Sequence, residues 1–395
     1  MTDPTRGTPF SGLPGGRYRD PVLLQREGER LLWPSWQFAG HVSDLPAPGT
    51  ALRLDLLGRS AFVLRTAQGA LRAFRNACRH RGTRLIEGDA GTGLAFCVDG
   101  RVRCPYHGWA YDDSGALAHV PEAAAYPGLD RSTLGLDELA VSTWNGLVFV
   151  AFSEPAPSIA AWHRAEGPLG GRRVEAMRRT GEPHIERCAA NWKVLCEMLL
   201  DTLQLDVAQP VLRQLFAARP QCAVEAGVVH IAAEIAGGDA ASWSVRAYGR
   251  LLRQARESGA TDDGGWTRLF LAPNTFVDVF PDHLRSLQLL PMGPSETAVR
   301  EVVYAHPDAS RTARIGRYLA GRIRRRARAG EMRLAERVQR GVDGGDHADG
   351  PIAGDEAGLR WFVEQVRGLV PEIAPDEAPG SARRKPPGSR RRARR

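Results

Sequence analysis

Residues 76–117 read NACRHRGTRLIEGDAGTGLAFCVDGRVRCPYHGWAYDDSGAL, and the spacing of two cysteines and two histidines within them decides what the chain is built around. Cys78 and His80 form C-x-H, and Cys104 and His107 form C-x-x-H inside CPYHGW. Each pair sits in a short turn that presents one thiolate and one imidazole to the same side, so two such turns facing each other make a four-ligand pocket. Structural zinc is the ordinary reading of two cysteines with two histidines. Against zinc stand the one-residue gap of C-x-H, tighter than usual zinc knuckles, and the frame of Pro105, Gly108 and Trp109, which suits a rigid loop tip shielding an inorganic cluster. The alternative is a [2Fe-2S] cluster with two cysteines on one iron and two histidines on the other, whose neutral imidazoles raise the reduction potential above that of an all-cysteine cluster. Cys97, between the pairs, reads as a small buried apolar residue rather than a fifth ligand.

Outward from this stretch, 395 residues leave room for two domains at roughly 100 to 200 residues each. A hydrophobic content of 43% fits a globular protein. No apolar run approaches the ~18 residues of a membrane span, and MTDPTRGTPF lacks the apolar core of a signal peptide, which predicts a cytoplasmic location. Six unevenly spaced cysteines do not make a disulfide framework. The net charge of +8 belongs to SARRKPPGSRRRARR at 381–395, which holds eight basic residues and leaves 45 basic against 45 acidic elsewhere. That composition predicts a disordered, solvating tail, so no nucleic-acid partner is expected. A second basic run, RTARIGRYLAGRIRRRAR at 311–328, reads as a solvated helix face or a dock for an acidic redox partner.

Short β-rich runs between Gly, Asp and Asn turns (ALRLDLL, AFVLRT, LRAFRNA, RVRCPYHGWAYD, GLVFVAF) predict a small antiparallel sandwich or barrel from Trp36 to Glu154. A Pro-rich joint follows at 155–168. Beyond it CAVEAGVVHIAAEI, ASWSVRAYGRLL, TFVDVFP and AVREVVYAHP read as strands, and 309–341 and 355–370 as helices, the pattern of an α+β domain. There are no repeats.

NACRHRGTRL followed by CPYHGWAYDDSGAL resembles the Rieske domain of the Rieske non-heme iron oxygenases, the alpha subunits of aromatic-ring-hydroxylating and related systems. LLWPSWQFAGHVSDLP (31–46) resembles that family's start, NWKVLCEMLLD (191–201) the opening of its catalytic domain, and EMRLAERVQRGVDG (331–344) with GPIAGDEAGLRWFVEQV (350–366) its closing helices. The resemblance implies an α+β chain: an arm at 1–34, an all-β Rieske [2Fe-2S] domain at 35–155, and a catalytic-type domain of antiparallel sheet with packed helices at 156–375. The tail occupies 376–395. Cys78, His80, Cys104 and His107 become the cluster ligands. The link between the two ligand pairs is longer than the family usually shows.

In relatives the segment after NWK supplies an acidic bridge residue, then a histidine, four residues, a second histidine and commonly a proline. A carboxylate from a later helix completes a 2-His-1-carboxylate iron site with open positions for O2. Here the bridge position is Asp201, the two histidine positions are Gln204 and Gln209, and the carboxylate position is Glu331. Three residues apart on a helix, Asp201 and Gln204 share one side. Gln209 precedes Pro210, which disfavours helical geometry and turns the chain back toward Gln204. A neutral amide oxygen is a weaker donor to Fe(II) than imidazole, and even indirect losses around a metal cost ~10 to 100-fold in affinity, so ordinary tight iron binding is not expected there. His184 and His283 are candidate replacement ligands whose plainer reading is surface or core. Met198, where many relatives carry a polar Asn, makes the pocket more apolar, and Trp266, Phe276 and Phe280 are candidate pocket walls or core residues.

Two functions follow. In one the chain is a working oxygenase that oxidises a small organic, possibly aromatic, substrate with O2 and electrons from its cluster. In the other it is a non-catalytic alpha-like partner whose cluster passes electrons to a neighbouring subunit that holds mononuclear Fe(II); the resemblance gives Asp201 a bridging role at the subunit interface, and its plainer reading is a satisfied structural Asp. With no Gly-rich dinucleotide fingerprint and no second ferredoxin-type cysteine cluster, NAD(P)H acts through a separate reductase or ferredoxin. The resemblance also implies a trimeric homo- or hetero-oligomer.

Overall fold

The computed structural model describes residues 10–88, 94–95, 97–98, 100–153, 159, 174–236, 241–257, 265–307, 310–345, 347 and 349–373. The basic tail, the side chain of Cys97 and all but residue 159 of the Pro-rich joint lie outside the described residues. The N-terminal arm holds strand β1 (Phe10–Ser11) and helix α1 (Pro21–Glu27). Asp20 starts α1, its carboxylate accepting from Val22 N at 2.8 Å, with Pro21 in the first helical position where a missing N–H costs nothing. β1 pairs with Pro351–Ile352, which ties the arm to the other end of the chain.

The first domain carries β2 (Gln37–His41), β3 (Thr50–Leu56), β4 (Arg59–Arg65), β5 (Leu71–Arg75), β6 (Leu94–Ala95), β7 (Cys97–Val98), β8 (Arg101–Arg103), β9 (Ala110–Tyr111), β10 (Leu117–His119), β11 (Glu138–Trp144) and β12 (Leu147–Ala151). Seven of them form an antiparallel sheet in the order β2-β12-β11-β5-β4-β3-β6, and a small four-stranded sheet, β10-β9-β8-β7, carries the second ligand turn. Between the sheets pack Phe62, Leu64, Phe74, Ile86, Trp109 and Tyr111, with Cys78 and Cys104 at the edge of the same cluster.

The second domain is built on an antiparallel sheet of β13 (Arg178–Arg179), β14 (His184–Cys188), β15 (Gln221–Glu225), β16 (Val228–Ala233), β17 (Trp266–Leu271), β18 (Thr275–Val279), β19 (Leu284–Gly293) and β20 (Glu296–Ala305). The order is β13-β20-β19-β18-β17-β16-β15, with β14 also on β20. Helices α2 (Trp192–Leu200), α3 (Leu205–Ala208), α4 (Pro210–Arg213), α5 (Trp243–Glu257), α6 (Arg311–Asp343) and α7 (Ala357–Leu369) complete it. The sheet is buried on both faces, and the two-residue period of a strand sorts its side chains. Leu269, Leu271, Val277, Val279, Leu284 and Tyr304 meet Phe38, Trp144 and Phe149 of the first domain. Trp266, Phe270, Phe276, Leu287, Leu289 and Val299 meet the helices. Tyr304 Oη donates to Asp44 at 2.8 Å and Arg300 donates to Phe38 O at 2.6 Å, so the two domains are joined by polar as well as apolar contacts.

Three local expectations change. ASWSVRAYGRLL is not a strand: Trp243–Glu257 is helix α5, which buries Val245, Tyr248, Gly249 and Leu252 at helical spacing. CAVEAGVVHIAAEI is a hairpin, β15 and β16, turned at Ala226 and Gly227, both with positive φ. Asp201 and Gln204 do not share a helix, because α2 ends at Asp201, whose carboxylate instead caps the next turn by accepting from Leu203 N at 2.7 Å and Gln204 N at 3.2 Å.

Candidate functional site

Two short loops present the four predicted cluster ligands. In the first, Asn76 is buried and fastens the loop to itself: its Oδ1 accepts from Leu85 N and Ile86 N, both at 2.9 Å, and its Nδ2 donates to Ile86 O at 2.7 Å. Cys78 N donates to Thr83 O and Gly82 N to Cys78 O, each at 2.8 Å. In the second, Cys104 N donates to Trp109 O at 2.8 Å and Gly108 N to Cys104 O at 3.1 Å. Gly108 turns with φ +71, a region that side chains disfavour, and a Cβ there would lie 3.1 Å from Pro121 Cγ. Both loops therefore hold their thiol inward and their imidazole at the tip.

Cys78 and Cys104 are each 3% exposed, and burial, together with the neighbouring thiol, pushes Cys78 up while Tyr111 and the His80 backbone oppose it. Tyr111 Oη lies 3.2 Å from Cys78 Sγ and accepts from Arg79 N at 3.0 Å. The His80 and His107 rings stand 4.7 Å apart, and Trp109 stacks on His80 at 4.6 Å with the rings 5° from parallel. Burial, then the adjacent His107 and Arg81, lower His80. His80 Nδ1 is buried with no hydrogen-bond partner. Two buried thiols and two facing imidazoles, one with an orphaned ring nitrogen, fit a cluster that takes sulfur on one side and nitrogen on the other. Bound there, such a cluster supplies one-electron redox chemistry.

The second predicted site is also brought together: Asp201, Gln204, Gln209 and Glu331 line one void with Met198, Leu212 and Trp266. That void is about 20 Å³, room for one water. Phe280 lines an adjoining void, while Phe276 is core, stacked on Phe270 at 4.6 Å. Gln204 Nε2 donates to Met198 O, sealing the end of α2, and Gln209 Oε1 is buried without a partner. His184 is exposed on β14, and His283 is buried between Asp282, at 2.7 Å, and Arg324, at 3.2 Å; neither lines the void. Among the described residues no three His, Cys, Asp or Glu side chains come together as the ligands of one ion.

The surroundings of Glu331 were not anticipated from sequence. Arg268, Asp278 and Arg285 are directly opposed on β17, β18 and β19, all on the helix-facing side. Arg268 Nε donates to Asp278 at 2.7 Å and Arg285 Nε at 2.9 Å. Glu301 on β20 receives Arg285, Arg324 and Arg328, each at 3.3 Å. Burial raises Glu301, but the three guanidiniums win and hold it at about 2. Four arginines thus face Asp278, Glu301 and Glu331, with Glu186 also 3.8 Å from Arg328, and Arg324 Nε and Arg328 Nη2 remain buried and unpartnered. The sequence signal is a charge on the helix-facing side of each apolar strand (Arg268 in RLF, Asp278 in VDV, Arg285 in LRSL, Glu301 in VREVV) facing Arg324, Arg328 and Glu331 at i, i+4 and i+7 of α6. Two neutral amides and one carboxylate do not fit a mononuclear Fe(II), which prefers imidazole donors.

Asp201 itself is half-buried at the end of α2, with Glu356, the residue preceding α7, in hydrogen-bond reach. Burial first, then the charges of Asp201 and Asp355, raise Glu356. No helix among the described residues is long and apolar enough to cross a membrane.

Residues 35–139 match the Rieske [2Fe-2S] domain and residues 174–372 the ring hydroxylating alpha subunit catalytic domain. The biphenyl 2,3-dioxygenase subunit alpha of Rhodococcus jostii is 36% identical over 143 residues, 36% of this chain and only 30% of that relative's length. The glycine betaine monooxygenase oxygenase subunit of Chromohalobacter salexigens is 26% identical over 410 residues, covering 93% of this chain and 87% of that one. The fold is shared with the quaternary ammonium Rieske monooxygenase CntA in complex with L-carnitine, at TM-score 0.75 and 19% identity over 91% of this chain and 96% of that one. It is shared as well with naphthalene 1,2-dioxygenase with indole bound, at TM-score 0.71 and 20% identity over 91% and 92%. With a Rieske [2Fe-2S] domain ahead of a ring-hydroxylating catalytic domain, the chain belongs to the Rieske oxygenase alpha-subunit family.

Proposed function

We propose that this chain is the electron-delivering alpha-type subunit of a Rieske oxygenase, reduced by a separate NAD(P)H-dependent reductase or ferredoxin and donating to a neighbouring chain that oxidises a small organic substrate with O2. The observation that carries this reading is the donor set at Gln204, Gln209 and Glu331, two neutral amides and one carboxylate set in a one-water void. The ligand loops support the donor role: His80 and His107 sit at a loop tip, and Trp109 and Asn76 hold the first of them in place. Asp201 supports it from the other side, since its carboxylate is fixed by two backbone N–H groups and accompanied by Glu356. Within a trimeric ring, that acidic pair suits the imidazole tip of the adjacent chain and its Arg81. The acceptor chain supplies the mononuclear iron. A cytoplasmic setting belongs to the same proposal.

The test is iron content and turnover of the anaerobically purified chain. We expect about two irons per chain, a rhombic paramagnetic signal on reduction that His107→Ala removes, and no product until a second alpha-type chain is added. About three irons per chain, with product formation by the isolated protein that Glu331→Ala abolishes, overturns the proposal.

A further inference from the structure

On the side of α2 away from the Gln204 void, a cleft of about 520 Å³ opens between the N-terminal arm, α2 and the second half of α6. Its volume lies in the range of small-molecule sites, roughly 300 to 1,000 Å³. Val194, Val338 and Val342 make its apolar walls, with Tyr18, Glu197 and His347 as its polar residues. The walls are fixed. Arg19 Nη1 donates to Asp343 O at 2.5 Å and Gln339 Nε2 to Tyr18 O at 3.3 Å, and a Cβ on Gly15 would lie 2.8 Å from His347 O, so the arm is seated closely against α6.

The chemistry centres on Glu197. Its Oε1 accepts from Tyr18 Oη at 2.6 Å, and its Oε2 accepts no hydrogen bond from a described residue. Lys193, one turn earlier, is not available to it, because Lys193 Nζ donates to Glu27 at 2.6 Å in a pair that is 1% and 0% exposed. Burial pushes Glu197 up to about 7, against the opposing effects of Tyr18 and Lys193. Glu197 is only partly buried and Oε2 is not among the buried unpartnered atoms, so this carboxylate oxygen is open to the cleft and placed to pair with a cation that enters it.

We propose that this cleft is a binding site for a small organic ammonium, its apolar body lying between Val194 and Val338–Val342 and its N–H groups donating to Glu197 Oε2. The site is independent of the electron-delivery reading, although it adjoins it: Asp201 N donates to Glu197 O at 2.9 Å, and Val338 is two turns along α6 from Glu331. An occupant therefore braces the two helices that carry Asp201 and Glu331.

Benzylamine is the probe, titrated by calorimetry into the cluster-loaded full chain at pH 8, with benzyl alcohol as its uncharged counterpart. We expect saturable 1:1 binding of benzylamine, at least 10-fold weaker in Glu197→Gln, and benzyl alcohol at least 10-fold weaker than benzylamine. A second variant leaves the carboxyl intact: a Cβ on Gly341 meets nothing within 4 Å, so Gly341→Phe fills the cleft and blocks binding. No saturable binding, equal affinity for the alcohol, or benzylamine binding unchanged in both variants overturns the proposal.

Discussion

Glu301 is the residue whose removal most directly tests the buried charge network beside the second site. Its carboxylate is held at about 2 by Arg285, Arg324 and Arg328, against an ordinary value of 4.5. A carboxylate depressed in the folded state contributes stability that is present above pH 4.5 and lost as the pH falls toward 2. At ~1.4 kcal/mol per pH unit the contribution is about 3 kcal/mol, and the 12% exposure of the Glu301 side chain leaves little screening by water. Glu301→Gln keeps the shape and removes the charge, leaving three guanidiniums facing one another, so a loss of about 3–5 kcal/mol at pH 7 is expected. Urea unfolding of both proteins at pH 7, 4.5 and 3 separates the two effects. The gap between them should narrow from pH 4.5 to 3, because the wild type is losing what the variant never had. Parallel curves over that interval refute the assignment of the depressed carboxyl to Glu301.

Glu27→Gln should cost about 3–5 kcal/mol, since it strips the charge partner from buried Lys193 and weakens the 2.7 Å bond from Trp192 Nε1. Adding Lys193→Met should recover most of that in denaturant melts, and no recovery counts against a buried ion pair. Gln204→His with Gln209→His should raise iron from about two toward three per chain, because both positions and Glu331 already face one void. Unchanged iron in a folded double variant refutes the placement of an iron site at these positions.

How far these sites are legible in the sequence depends on the separation of their parts. The first cluster loop is closed by bonds among residues 76–86 and the second among 104–109, so C-x-H and C-x-x-H carry their own geometry. Misreading 241–252 as a strand has a definite cause. Trp243, Val245 and Ala247 alternate with polar residues, yet Val245, Tyr248 and Leu252 equally mark one helix face, and only packing against α6 chooses between the two periods.

The sequence by itself determined the C-x-H and C-x-x-H spacing, the all-β character of the first domain, the glutamines at 204 and 209, and the long closing helix that carries Glu331. Each of these is written in contiguous residues, where backbone sterics and short hydrogen bonds act with no partner from elsewhere. Only the tertiary structure decided that Glu331 faces Gln204 and Gln209, that Glu301 gathers arginines from β19 and α6, and that Glu27 reaches Lys193 across 166 positions. The reason is physical: a buried charge is tolerated only where the fold delivers its counter-charge. That delivery is set by strand register and helix placement, which no local stretch of sequence contains.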